Sequence, residues 1–218
     1  MSTPTILFTD NDYEDSFDWV YHEKKIISSR YIDLIDNYIA DHEELIHPAG
    51  IGGGDNMVEE VIRRADVMWM LNQDDSIPSE LIPLYKEISR GVHSINQRYW
   101  GYTIGGLEAL QYTRYRAEES GHYDWHQDTC ASCPPWGNVR KITFVIGLSN
   151  VEDYSGGLLE VNLNGRISKT SSPHKPYQAK LGVGDVCIFP SFLSHRVEPV
   201  ERGVRKTLVG WARGPSFK

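Results

Sequence analysis

Hydrophobic positions recur at helical spacing in two places. From Ser28-Ser29 onward, Ile32, Leu34, Ile35, Tyr38 and Ile39 fall on one side of a 3.6-residue period behind a serine suited to an N-cap. The second stretch spans 78–99, with Leu81, Ile82, Leu84, Tyr85, Ile88, Val92 and Ile95 on one face and Ser79 as the expected cap. Between them, Pro48 and the run Gly50-Ile51-Gly52-Gly53-Gly54 predict a flexible connection. That run is not followed by Lys-Ser/Thr, so it is read as a loop and not as a phosphate cradle. Ala65 to Leu71 reads as a buried strand. From Tyr102 the pattern changes to short β-branched and aromatic segments: 106–115, 122–128, 140–148, 157–163, 176–180, 185–190, 195–199 and 204–213. Turn clusters separate them at Cys133–Asn138, Asp153-Tyr154-Ser155-Gly156-Gly157, Asn164-Gly165 and Gly182-Val183-Gly184-Asp185. Many short strands at this interval predict a sandwich or jelly roll, with the two helices covering one sheet.

Composition narrows the picture. A chain of 218 residues, 40% hydrophobic and 24% charged, reads as a soluble globular protein. The expectation is a single domain over 1–218, with 1–101 as helical support and 102–218 as the β core. A formal net charge of −8 argues against a broad nucleic-acid surface. Met1 to Asp15 lacks the basic and apolar regions of a signal peptide, and no apolar run reaches membrane-spanning length, so a cytoplasmic location with no membrane partner is expected. The three cysteines do not make a disulfide framework. Cys130-Ala131-Ser132-Cys133 is a CxxC with no second CxxC to complete a tetrahedral zinc site, so free loop thiols are the plainer reading. Cys187, inside an apolar segment, reads as packing. His22, His42, His47 and His174 have no convergent partners and are expected in solvent; His93 is expected at the surface or core edge.

Chemistry concentrates in Gly121-His122-Tyr123-Asp124-Trp125-His126-Gln127-Asp128. On an extended strand, His126 and Asp128 at i, i+2 project to the same face, which starts a metal site. His195, 67 residues after Asp128, offers a third ligand. Two histidines and a carboxylate on one side of a metal leave the opposite positions open, as suits non-haem Fe(II) and oxygen chemistry. Ten residues past His195, Arg205 opens the last expected strand, and an even offset on paired extended segments returns its guanidinium to the same pocket. There it could grip a carboxylate in bidentate fashion.

The set His126-x-Asp128, Gly156-Gly157-x-Leu159, Gly184-Asp185 with Phe189-Pro190, His195, Arg205 and Trp211 resembles the Fe(II)- and 2-oxoglutarate-dependent dioxygenases. Within them it is most similar to the prolyl 4-hydroxylase branch, including bacterial and phage members. The similarity runs from about Leu107 to Gly214. It implies a mainly β (α+β) double-stranded β-helix, a cupin-like jelly roll with N-terminal helices on one sheet. It also implies Fe(II), 2-oxoglutarate and O2 as cofactor and co-substrates, with ascorbate as a candidate reductant. His126, Asp128 and His195 match the iron ligands, and Arg205 the residue that binds the distal carboxylate of 2-oxoglutarate. Tyr115 matches a tyrosine that assists that binding, and Thr143 a residue facing the co-substrate. Arg140 matches a substrate contact and Trp211 an aromatic wall near the metal. Tyr123 and Trp125 flank the ligands on the opposite strand face or the rim, where they could hold substrate. The implied reaction hydroxylates an unactivated C–H bond, with a peptidyl prolyl residue as leading substrate and succinate and carbon dioxide as co-products. A free amino acid or other small molecule is the enzymatic alternative. A nucleic-acid demethylase fits the acidic balance less well. From other classes, a non-catalytic jelly-roll binding module and a zinc-dependent hydrolase remain open. The Pro134-Pro135-Trp136-Gly137 loop could close over the site as a lid, and Glu152, Asp153 and Tyr154 read as an ordinary turn.

Overall fold

The computed structural model describes residues 19–49, 62–129, 138–163 and 175–216. The Gly50–Gly54 loop, the Cys130/Cys133 pair, the Trp136 lid, the Asn164-Gly165 turn and His174 lie outside the described residues. In chain order the first elements are β1 (Tyr21–Glu23), α1 (Ser29–Asp41), β2 (His47–Pro48), β3 (Arg63–Arg64) and β4 (Asp66–Trp69). Then come α2 (Ile82–Tyr99), β5 (Gly106–Leu107), β6 (Gln111–Arg116), β7 (His122–His126) and β8 (Asn138–Gly147). The last are β9 (Tyr154–Gly156), β10 (Leu159–Val161), β11 (Tyr177–Ala179), β12 (Val186–Pro190), β13 (His195–Val197) and β14 (Val200–Pro215).

Both helices form where the period placed them, but their starts differ from expectation. Ser28 holds the N-cap position of α1 in an extended conformation, yet its side chain makes no capping bond. Ser79 lies inside a 3₁₀ turn, Ser79–Leu81, and buried Leu81 takes the cap position of α2. Pro83 then sits in the first helical turn, where its missing N–H has no intrahelical partner to lose.

The strands form two antiparallel sheets. The larger runs β1-β12-β8-β14-β6-β4-β2, with β5 and β9 also pairing with β14; the smaller runs β11-β10-β13-β7-β3. Side chains alternate across the larger sheet, as a pleat requires. Tyr112, Ile142, Phe144, Ile146, Val186, Ile188 and Leu208 join Tyr31, Ile35, Leu84, Ile88 and Val92 of the helices in one core. Tyr115, Val145, Cys187 and Phe189, from the other face, pack with Leu159, Val161 and Val197 of the smaller sheet. The mainly β, α+β jelly roll with helices on one sheet is therefore present. The first hundred residues are more than helical support, since β1 to β4 extend both sheets.

Several boundaries correct the sequence reading. The 106–115 segment is broken into β5 and β6. β7 ends at His126, so Asp128 is not on the strand; its backbone N–H instead donates to Ser191 O at 3.0 Å. Arg205 lies inside β14 and does not open it. Tyr154 begins β9 and is 1% exposed, so it is a core residue and not part of a plain turn. His22 is not solvated: its Nδ1 meets the Tyr177 hydroxyl at 2.9 Å, and burial pushes its pKa down. His42 stacks on Tyr38, while His93 is exposed. Among the described residues, no helix is long and apolar enough to cross a membrane.

Candidate metal centre

His126 and His195 face each other on neighbouring strands, β7 and β13, with ring centroids 4.2 Å apart. Between them and Asp128, one ligand atom from each residue lies within 4.8 Å of the others. His126 Nε2 is 3.8 Å from Asp128 Oδ1, and His195 Nε2 is 3.3 Å from Asp128 Oδ2. Backbone carbonyls fix both imidazoles: Nδ1 of His126 lies 2.8 Å from Asp124 O, and Nδ1 of His195 lies 3.0 Å from Leu193 O. A carbonyl only accepts, so each Nδ1 carries a proton and donates it. Nε2 is thereby left facing Asp128, the orientation a metal ligand needs.

Electrostatics favours a cation at this point. Burial, reinforced by the charge of His195, pushes the His126 imidazole down to about 3, so it is neutral at neutral pH. Burial alone would raise the Asp128 carboxyl. The charge and hydrogen bond of His195, with His126 behind them, hold it well below the usual carboxylate range. Burial likewise lowers His195, but Asp128 outweighs this and raises it. A metal ion would take the place of that proton.

Asp128 is oriented from the larger sheet. Thr143 on β8 donates through Oγ1 to Asp128 Oδ2 at 2.7 Å, and the Ser191 hydroxyl lies 3.0 Å from Thr143 Oγ1. The Thr143 hydroxyl is thus committed to the carboxylate ligand, although the residue also faces the cavity.

The triad opens into a cavity of about 430 Å³ between the sheets. Nine of the residues singled out in the sequence line it: Tyr115, Tyr123, His126, Asp128, Arg140, Thr143, His195, Arg205 and Trp211. Trp125 does not; it lies under the guanidinium of Arg196. Arg205 is 2% exposed, and its Nε and Nη2 have no hydrogen-bond partner. It lies opposite Tyr115 in the β14–β6 register, with its guanidinium 5.3 Å from the centre of that ring. It meets the triad because β14 and β13 belong to facing walls, not through an even offset along paired strands. Gly157 makes the space: its φ is +60°, and a Cβ there would sit 2.9 Å from Arg205 Cδ.

Tyr123 stacks on His126 with centroids 3.5 Å apart. An irregularity in the β13–β7 register puts residues three apart on one face, which moves Tyr123 from the expected rim into the cavity. Arg140 lies 3.8 Å from the Trp211 ring centroid and is gripped in bidentate fashion by Glu108 at 2.7 Å and 2.7 Å. Glu108 also holds Arg213. Glu108, Trp69, Gln111 and Arg63 were given no role in the sequence.

The donor set fits iron, and a buried guanidinium with unpartnered nitrogens in the same cavity fits a small dicarboxylate. Comparison with known proteins agrees. The profile of the 2OG-Fe(II) oxygenase superfamily matches residues 110–213. A PKHD-type hydroxylase of Idiomarina loihiensis is 30% identical over 107 residues, 49% of this chain and 43% of the relative. One of Herminiimonas arsenicoxydans is 32% identical over 103 residues, 46% of this chain and 41% of the relative. Each match therefore spans under half of the relative's length. Among solved structures, a Pseudomonas putida prolyl-4-hydroxylase superposes with TM-score 0.65 at 16% identity, covering 91% of this chain and 94% of that one. A Trichoplax adhaerens prolyl hydroxylase, in complex with a hypoxia inducible factor peptide fragment, gives TM-score 0.66 at 16% identity, covering 89% and 83%.

Over residues 110–213 the chain is similar to the 2OG-Fe(II) oxygenase superfamily, and the triad and the fold are of the kind that class carries. Its fold is shared with prolyl 4-hydroxylases, and the cofactors that the superfamily implies are Fe(II) and 2-oxoglutarate with O2.

Proposed function

We propose that this protein hydroxylates an unactivated C–H bond, with a prolyl residue of a peptide or protein as the leading substrate. Succinate and carbon dioxide would be the co-products. The observation that carries this reading is Arg205: a guanidinium 2% exposed, with two unpartnered nitrogens, in the cavity that holds the triad. A buried cation without a counter-charge is costly, and a carboxylate ligand offsets that cost through paired hydrogen bonds.

His126, Asp128 and His195 would hold iron(II), with the backbone carbonyls of Asp124 and Leu193 keeping both imidazoles in the ligating tautomer. Bound iron with 2-oxoglutarate and oxygen supplies the oxidising chemistry, coupling decarboxylation of the keto-acid to transfer of one oxygen atom. Arg205 would bind the distal carboxylate, with Tyr115 beside it. Thr143 fixes the second ligand's carboxylate. Tyr123, Trp211 and Arg140 would wall the substrate side and exclude water. The peptide in the Trichoplax adhaerens structure favours a peptide here, and the family neighbours named as prolyl hydroxylases favour proline.

The test is an anaerobic titration with Fe(II), then 2-oxoglutarate, followed by prolyl peptides in air. A visible charge-transfer band, lost in His126→Ala, supports the cofactor assignment. Succinate formed with a peptide that gains one oxygen atom supports the substrate. Absence of the band in iron-loaded protein overturns the reading.

A further inference from the structure

The cavity carries a cation that neither its own carboxylates nor the proposed co-substrate balances. Arg140 and Arg213 share Glu108, Arg114 and Arg116 share Asp66, and Arg196 sits on Glu160. Arg63, on β3, has no carboxylate partner among the described residues. Its Nη2 donates to the amide oxygen of Gln111 at 3.0 Å, and its guanidinium lies 4.6 Å from the centre of the Tyr123 ring. Its Nε is buried with no hydrogen-bond partner. If iron(II) and 2-oxoglutarate bind as proposed, the ion's two positive charges and that of Arg205 are met by Asp128 and the two carboxylates of the keto-acid. Arg63 is then left without a carboxylate beside it, on the wall that Tyr123 shares with the metal ligands.

Gln111 strengthens the case. It is 6% exposed, lines the same cavity, and its amide oxygen is occupied by Arg63. The NH2 end is therefore the end available to a ligand, and it can only donate. Two donor groups, one of them charged, thus lie beside an aromatic face, and the hydrogen-bond acceptor between them, the Gln111 amide oxygen, is already taken by Arg63.

We propose that Arg63 and Gln111 form a carboxylate-recognition subsite, so that the substrate carries a carboxylate near the C–H bond to be attacked. This rests on the iron and 2-oxoglutarate reading above. The carboxylate has two possible sources, an acidic side chain flanking the target residue or the free α-carboxylate of an amino acid.

Probes with and without a carboxylate test it. They are acetyl-Ala-Pro-Ala-amide, its Glu and Lys counterparts at the first alanine, free L-proline and L-prolinamide. Each is titrated anaerobically into protein loaded with Fe(II) and 2-oxoglutarate, and binding is read from the shift of the charge-transfer band. A preference of about tenfold or more is expected for a carboxylate probe over its neutral counterpart. Tighter binding of the Glu peptide assigns the side-chain source, and tighter binding of L-proline than of L-prolinamide assigns the α-carboxylate. The preference should vanish in Arg63→Gln and survive in Arg63→Lys. A wild type that binds charged and neutral probes alike overturns the inference. So does Arg63→Gln weakening every probe equally, because that reports only loss of support under Tyr123. The chelate band is recorded before any probe is added. Its absence sinks the proposed function, whereas an intact band without charge preference sinks this inference alone.

Discussion

Replacing Arg205 by alanine would remove the guanidinium proposed to bind the co-substrate's distal carboxylate, while leaving the triad untouched. The dissociation constant for 2-oxoglutarate should rise about 100-fold or more, with iron content unchanged, as read by titration of the chelate band and by metal analysis. Thr143 acts through Asp128. Thr143→Val keeps the shape and removes the 2.7 Å hydrogen bond to Oδ2, so Fe(II) affinity should fall about tenfold to 100-fold. An unchanged iron affinity would show that Ser191 and the backbone position Asp128 without it. At this scale the sequence was informative about the residues that converge in the cavity: two histidines, an aspartate and an arginine stood out by type and spacing. It was silent on Glu108 and Arg63, because a lone carboxylate or guanidinium looks the same whether it faces solvent or a cavity.

At the level of elements, the turn at Gly156-Gly157 does more than reverse the chain. Gly157 adopts a φ of +60°, and a Cβ there would approach Arg205 Cδ and Val200 Cγ2 to 2.9 Å each. Gly157→Ala should therefore lower stability by about 1 kcal/mol or more and also weaken 2-oxoglutarate binding, as read by thermal melting and by the same titration. The helices act on the other face of the larger sheet. Ile35 on α1 is fully buried, so Ile35→Ala should cost about 2–5 kcal/mol, yet the folded fraction should still bind iron. Loss of iron binding in that folded variant would mean that the helical layer positions the triad directly. The periodicity of Ile32, Ile35 and Tyr38 was legible because one buried helical face repeats within the chain itself. The start of α2 was not, since Ser79 is drawn into a 3₁₀ turn ahead of Pro83.

Over the whole molecule, two apolar layers lie on the two faces of one sheet, and only the inner layer borders the cavity. Cys187 belongs to that inner layer, on β12, and burial pushes its thiol up to about 12. At pH 8 it should resist thiol reagents in a Cys130→Ser, Cys133→Ser background until the protein is unfolded. The unfolded chain releases this proton more readily. The stability it protects is therefore whole below the unfolded pKa and is lost as pH rises from about 9 towards 12. Denaturation curves across that range would show it. The sequence by itself determined the layer architecture and singled out the three residues that converge at the candidate metal centre, because alternation and amphipathic spacing are local and because few side chains bind metal well. Only the tertiary structure decided that Asp128 lies past the end of its strand, held by Thr143 and by the backbone of Ser191. It also decided that Tyr123 turns into the cavity through a register irregularity, and that Arg205 reaches the triad from the opposite wall. Those positions depend on pairings between residues far apart in the chain, and spacing along one strand does not specify which strand will face it across a cavity.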